Sequence, residues 1–114
     1  MSECLFCRIA AGDIPSDTVY ATDDVIAFRD IDPKAPTHVL VIPRRHFDNA
    51  AEMTADDPDL AARWLAAATE VARSLGVADT GYRLVINTGV DGGQSVDHVH
   101  VHLLAKRGMG WPPG

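Results

Sequence analysis

The sequence predicts an α+β domain built on a mostly antiparallel sheet, and three observations carry that reading. Strand-like runs come as a group of three before the long helical stretch and a pair after it, whereas a doubly wound sheet needs helices alternating with strands. The chain has 114 residues, the length of one ordinary domain. Its 46% hydrophobic and 23% charged residues are those of an average globular protein, which excludes disorder, collagen-like repeats and a disulfide-dense miniature fold.

Taken in order, Leu5 to Ala11 has room for two helical turns before Gly12 stops them, and Ile14-Pro15-Ser16 reads as a connector. Thr18-Val19-Tyr20-Ala21 and Val25-Ile26-Ala27-Phe28, separated by a turn containing Asp23-Asp24, read as a hairpin. The β-branched run from Thr37 to Ile42 is a third strand, ended by Pro43. Between Asp57 and Leu75 the apolar residues Leu60, Trp64, Ala67, Val71 and Leu75 recur at steps of three and four, the mark of an amphipathic helix, and Gly76 stands at its C-terminal cap. Tyr82 to Asn87 and His98 to Leu104 complete the strands. The connection between them, Thr88 to Ser95, is too long and too rich in glycine for a tight hairpin. No repeat, low-complexity tract or internal linker divides the chain, so residues 1–114 are expected to be a single domain, with 108–114 as a C-terminal tail.

The formal charge of −6 disfavours binding to duplex nucleic acid or to an anionic membrane. Apolar runs are short, and Met1-Ser2-Glu3-Cys4 lacks the pattern of a leader. The two cysteines, Cys4 and Cys7, are therefore expected as reduced thiols at a cytoplasmic address.

The strongest chemical signal is His98, His100 and His102 alternating with Val99, Val101 and Leu103. Strand alternation places the three imidazoles on one face, about 6.6–6.8 Å apart in succession, and the apolar residues on the other. Any one of these histidines could be a solvated residue on a polar face. Three of them, preceded by Gly89-x-x-Gly92-Gly93-Gln94-Ser95, point instead to phosphate chemistry: the glycines permit close backbone approach, and imidazole is a nucleophile or proton carrier near neutral pH.

His98-Val99-His100-Val101-His102-Leu103-Leu104 matches throughout the signature of the histidine triad (HIT) proteins, and the chain resembles that family over nearly its whole length. Further likeness lies in Phe28-Arg29-Asp30-Ile31, Ala35-Pro36-Thr37-His38, Val41 to His46, Asn87 and Gly92 to Val96. Trp111-Pro112-Pro113-Gly114 resembles the branch of purine nucleoside phosphoramidate hydrolases more than that of the dinucleoside polyphosphate hydrolases. The resemblance implies a five-stranded antiparallel sheet with one long and one short helix, the sheets joined across a homodimer, and a tail docking near the active site or dimer interface. It implies that each subunit holds a purine nucleoside monophosphate or phosphoramidate, the phosphoramidate being hydrolysed to AMP through a nucleotidyl-histidine. His100 would be the nucleophile, with its second ring nitrogen donating to a fixed acceptor such as a backbone carbonyl. His102 and His38 would flank the phosphate, while Ser95, Gly93, Gln94 and Asn87 would contact phosphate oxygens or the leaving group. Asp30 would hold the ribose hydroxyls, and Ile14, Phe28 and Ile31 the purine. Read without the resemblance, Phe28 and Ile31 are core residues and Asp30 a turn residue. The rival functions are hydrolysis or phosphorolysis of dinucleoside polyphosphates, and nucleotide or partner binding with incidental hydrolysis. Arg29 and Asp97 depart from what that branch often carries.

Cys4-x-x-Cys7 has the spacing of half a zinc site, although two buried thiols or a redox pair would show the same residues. The resemblance to bacterial HIT proteins that carry the cysteine pair implies His46 and His98 as the remaining ligands of a structural zinc. That leaves His38, His100 and His102 for phosphate.

Overall fold

The computed structural model describes residues 3–114; Met1 and Ser2, half of the stretch expected to lack a leader pattern, lie outside the described residues. Five strands, β1 (Thr18–Ala21), β2 (Val25–Arg29), β3 (Thr37–Pro43), β4 (Tyr82–Val85) and β5 (Val101–Ala105), form one sheet in the order β1-β2-β3-β5-β4. Every neighbouring pair is antiparallel. Three helices accompany it: α1 (Leu5–Ala10), α2 (Ala50–Asp56) and α3 (Pro58–Ser74). Among the described residues no helix is long and apolar enough to cross a membrane.

Helix α2 corrects the expectation of one long and one short helix. Its amino end carries an Asn49-x-x-Glu52 capping signature, and the Asn49 side chain accepts the Glu52 N–H at 2.9 Å. Seven residues exposing little apolar periodicity gave the pattern too little length to show. Asp57 closes α2 and also caps α3, accepting the Leu60 N–H at 3.0 Å, with Pro58 in the first turn where its missing N–H costs nothing. At the far end of α3, Gly76 has φ 74°, and the N–H groups of Gly76 and Val77 reach the carbonyls of Arg73 and Ala72 in a Schellman arrangement.

The sheet is buried on both faces, which explains why β3 reads as a continuous apolar run and not as an alternation. One face, with Val25, Ala27, Val39, Val41, Val101 and Leu103, packs under α3 against Trp64, Ala68 and Val71. Trp64 is 1% exposed, and its indole N–H donates to the Val41 carbonyl at 2.8 Å, joining helix to central strand. The other face, with Ile26, Phe28, Leu40 and Ile42, packs against Phe6 and Ile9 of α1.

The last strand begins later than expected. Continued past Val41–Val101, the register sets Val99 opposite Pro43, which has no N–H to offer the ladder, and the Val99 N–H bonds instead to the Phe47 carbonyl at 2.8 Å. Side-chain alternation nonetheless continues: Val99, Val101 and Leu103 enter the α3-side core, while His98 and His100 meet Phe6 of α1 at ring separations of 6.1 and 5.1 Å. Strand β4 is also shorter than expected, which leaves Ile86 and Asn87 outside it.

Replacing Trp64 with Phe removes the indole hydrogen bond to the Val41 carbonyl and part of a ring that is 1% exposed in the core. An unfolding free energy lower by about 2 kcal/mol is expected from chemical denaturation followed by circular dichroism, with secondary structure retained.

Candidate active site and metal centre

Strand register sets the geometry of the histidines. Leu40 of β3 pairs with His102 of β5, and His38 pairs with Leu104, so His38 and His102 are diagonal neighbours on the α1 side of the sheet. Their rings meet at 2.9 Å between His38 Nε2 and His102 Nδ1. His38 Nδ1 accepts the Lys34 backbone N–H at 3.0 Å, so a neutral His38 must carry its proton on Nε2 and donate it to His102. His102 in turn keeps its proton on Nε2. Burial lowers the pKa of His38, outweighing the nearby Asp30 carboxylate at 3.5 Å. Burial first, then the neighbouring His100 and His38, push His102 down to about 4. Both rings are neutral at pH 7, so the Asp30–His38 contact is not an ion pair there.

His100 is 3% exposed, and its Nδ1 donates to the His98 carbonyl at 2.7 Å. That bond orients the ring and leaves the Nε2 lone pair available. His100 and His102, ring centroids 5.0 Å apart, stand in the wall of a cleft of about 590 Å³. The cleft is also lined by Ile14, Phe28, Asp30, Ile31 and Ser95. Ile31 is fully exposed in the protomer, at 101%, and stands at the mouth instead of in the core that its residue type alone suggests. Phe28 has both characters, being 4% exposed in the core while lining the cleft.

Several expected nucleotide contacts do not line this cleft. His38 lies behind His102, and Asn87, Gly93 and Gln94 are outside the lining. The Gly93 and Gln94 N–H groups close turns onto the Val90 and Gly89 carbonyls at 3.0 and 3.1 Å, and the Gln94 amide is bonded within the protein. Leu5, Phe6 and Ile9 of α1 form a cleft wall that sequence inspection missed. Nothing in a two-turn helix distinguishes core residues from a ligand wall. The tail does not reach the cleft within the protomer; Arg83 of β4 holds the Gly110 carbonyl at 2.8 Å, and Trp111 is 85% exposed.

A second cluster lies at the amino end of α1, where ligand atoms of Cys4, Cys7, His46 and His98 all fall within 4.8 Å of one another. His98 Nδ1 is 3.4 Å from both sulfurs, and His46 Nδ1 is 3.3 Å from Cys7 Sγ. Tetrahedral zinc with ordinary Zn–S and Zn–N bonds separates sulfur from nitrogen by about 3.5 Å. The protonation pattern fits as well. His98 Nε2 donates to the Pro43 carbonyl and His46 Nε2 to the Asp48 carboxylate, each at 2.9 Å, so both Nδ1 lone pairs face the sulfurs. Burial holds His98 below the ordinary histidine pKa, favouring the neutral ligand form. The residues suit a closed four-ligand metal centre. Asp48, the carboxylate orienting His46, went unnoticed in the sequence because surface aspartates next to a histidine are commonplace.

A HIT domain model matches residues 11–109. This chain belongs to the HIT family. Among its relatives, purine nucleoside phosphoramidase of Escherichia coli K12 is 44% identical over 108 residues, covering 95% of this chain and 91% of the relative. An uncharacterized HIT-like protein of Synechococcus elongatus is 46% identical over the full length of both chains. The crystal structure of a HIT family hydrolase from Legionella pneumophila superposes with a TM-score of 0.94 at 47% identity, covering 98% of this chain and 100% of that one. The HIT fold anticipated from the triad signature is thus the fold of the chain.

The lowered pKa of His102 has a signed consequence for stability. Between the ordinary histidine range and about 4 the unfolded chain binds a proton at this position that the folded chain refuses, so folding stability falls as pH drops through that window. Denaturation midpoints measured from pH 7 to pH 4 are expected to decline, and less steeply in His102→Gln, which lacks the titrating group.

Proposed function

We propose that this HIT-family chain hydrolyses purine nucleoside 5′-phosphoramidates to the nucleoside monophosphate and an amine, by two displacements at phosphorus. The observation that carries this reading is the His100 ring, pinned through Nδ1 to the His98 carbonyl with Nε2 free, in the wall of a cleft large enough for a nucleotide. The name of the E. coli relative supports the substrate class.

In the first displacement His100 Nε2 bonds to the α-phosphorus as the P–N bond breaks. The departing nitrogen takes a proton from solvent by way of Ser95, which is exposed on the cleft wall. In the second, water attacks phosphorus, the P–Nε2 bond breaks, and the proton released returns to solvent. His102 Nε2–H, fixed by the Lys34–His38–His102 chain of hydrogen bonds, donates to a phosphate oxygen as charge develops there. His38 acts through His102, as a positioning residue. Asp30 accepts from the ribose hydroxyls, and Ile14, Phe28 and Ile31, together with Phe6 and Ile9 of α1, hold the base. Asn87, Gly93 and Gln94, outside the cleft wall, shape the loop that presents Ser95.

Cys4, Cys7, His46 and His98 hold a structural zinc, whose chemistry is to crosslink α1 to the segment after β3 and to the start of the triad. Two of these chains form a homodimer in the cytoplasm, with Trp111 and the exposed residues near β4 as covered surface.

Wild-type protein is expected to convert adenosine 5′-phosphoramidate to AMP and to show a nucleotidyl adduct by mass spectrometry, whereas His100→Ala loses turnover by at least a thousandfold yet still binds AMP. Turnover by the variant at the wild-type rate would refute the covalent route. A diadenosine polyphosphate turned over far faster than the phosphoramidate would move the substrate to the other branch. Protein prepared without chelator is expected to carry about one zinc per chain.

A further inference from the structure

The segment immediately after β3 makes a different tie at each of four consecutive residues. His46 belongs to the metal cluster, and the Phe47 carbonyl accepts the Val99 N–H at 2.8 Å. Asp48 orients His46 through its carboxylate, while its carbonyl accepts from Gln94 Nε2 at 2.6 Å. Asn49 caps α2.

Gln94 belongs to the loop that delivers Ser95 to the cleft, 46 residues away in sequence. Its amide nitrogen donates to the carbonyls of Asp48 and Val96, the latter at 3.0 Å, and its amide oxygen accepts the Gly89 N–H at 3.0 Å. Both ends of the loop therefore converge on this one side chain. The loop behind it is tightly folded. A Cβ on Gly92 would lie 2.5 Å from the Thr88 carbonyl oxygen, so only glycine fits the turn that Gln94 closes.

We propose that Gln94 is a positioning residue that couples the metal centre to the phosphate side of the cleft, with Asp48 as the shared joint. Metal on Cys4, Cys7, His46 and His98 holds His46, His46 holds Asp48, and the Asp48 carbonyl holds the loop bearing Ser95. The inference rests on the hydrolase reading for its catalytic consequence, but the coupling itself needs no substrate. Linkage makes it reciprocal: if bound metal steadies the loop by some factor, a loop that has lost Gln94 weakens metal binding by the same factor.

Amide hydrogen exchange at Gly89 tests the first half, in wild-type protein with zinc bound and after its removal by chelation. Exchange about tenfold faster without zinc is expected, with the α3 amides of Ala68 and Val71 still protected. Competition against a chelating dye tests the second half: Gln94→Ala is expected to weaken zinc binding by the same factor, within twofold, and its Gly89 amide to exchange rapidly with or without zinc. With adenosine 5′-phosphoramidate and saturating zinc, the variant should lose about tenfold in kcat with KM changed less than threefold. Gly89 exchange indifferent to zinc, unchanged zinc affinity in Gln94→Ala, or simultaneous loss of protection in α3 would each overturn the coupling. An inactive wild type that still shows reciprocal exchange and affinity effects would sink the hydrolase reading alone.

Discussion

The two sites depend on one buried residue, His98. Its ring is oriented by the Pro43 carbonyl so that Nδ1 faces the sulfurs of Cys4 and Cys7, and its own carbonyl fixes the His100 ring. Side chain and backbone of a single position thus serve the metal cluster and the proposed nucleophile. The arrangement requires complete burial, since water competing for the Pro43 or His98 carbonyl would loosen both orientations. His98 is 0% exposed.

Packing around that residue is asymmetric. The α3 side of the sheet is a conventional apolar interface, with a 17-residue helix laid across the central strands and anchored by Trp64. Among the described residues the one helix on the opposite side is α1, six residues long, far below the length at which a helix is stable by itself. It is held by Phe6 and Ile9 packed on β2 and β3, by Arg44 donating to the Ala10 carbonyl at 2.9 Å, and by the thiols at its amino end gathered with His46 and His98. A metal held by these four residues would stabilise the cleft wall directly, because Leu5, Phe6 and Ile9 line the cleft. The side of the sheet with the thinnest apolar cover is the side with the cleft and the cysteine–histidine cluster.

Much of this organisation was legible in the residues. The hairpin of β1 and β2, the run of β3 and the period of α3 appear close to their expected bounds, because each is long or strongly patterned enough for local preference to agree with packing. Helix α2 escaped notice although Asn49-x-x-Glu52 marks its start. For Gln94 the resemblance implies a nucleotide contact; within the protomer its side-chain amide is bonded to Asp48, Val96 and Gly89. Sequence neighbourhood does not reveal which way a loop side chain turns.

By itself the sequence determined the fold class, the segregation of three histidines from their apolar partners, and the residue types from which a phosphate site and a metal site are made. Those properties follow from periodicity and from the chemistry of imidazole and thiol, which are local. Only the tertiary structure decided which nitrogen of each imidazole is committed, that His38 stands behind His102, and that α1 walls the cleft. It also brought the Gln94 amide to the Asp48 carbonyl. Each of these rests on an acceptor or a surface brought in from tens of residues away, and the closure of the sheet alone chooses that partner.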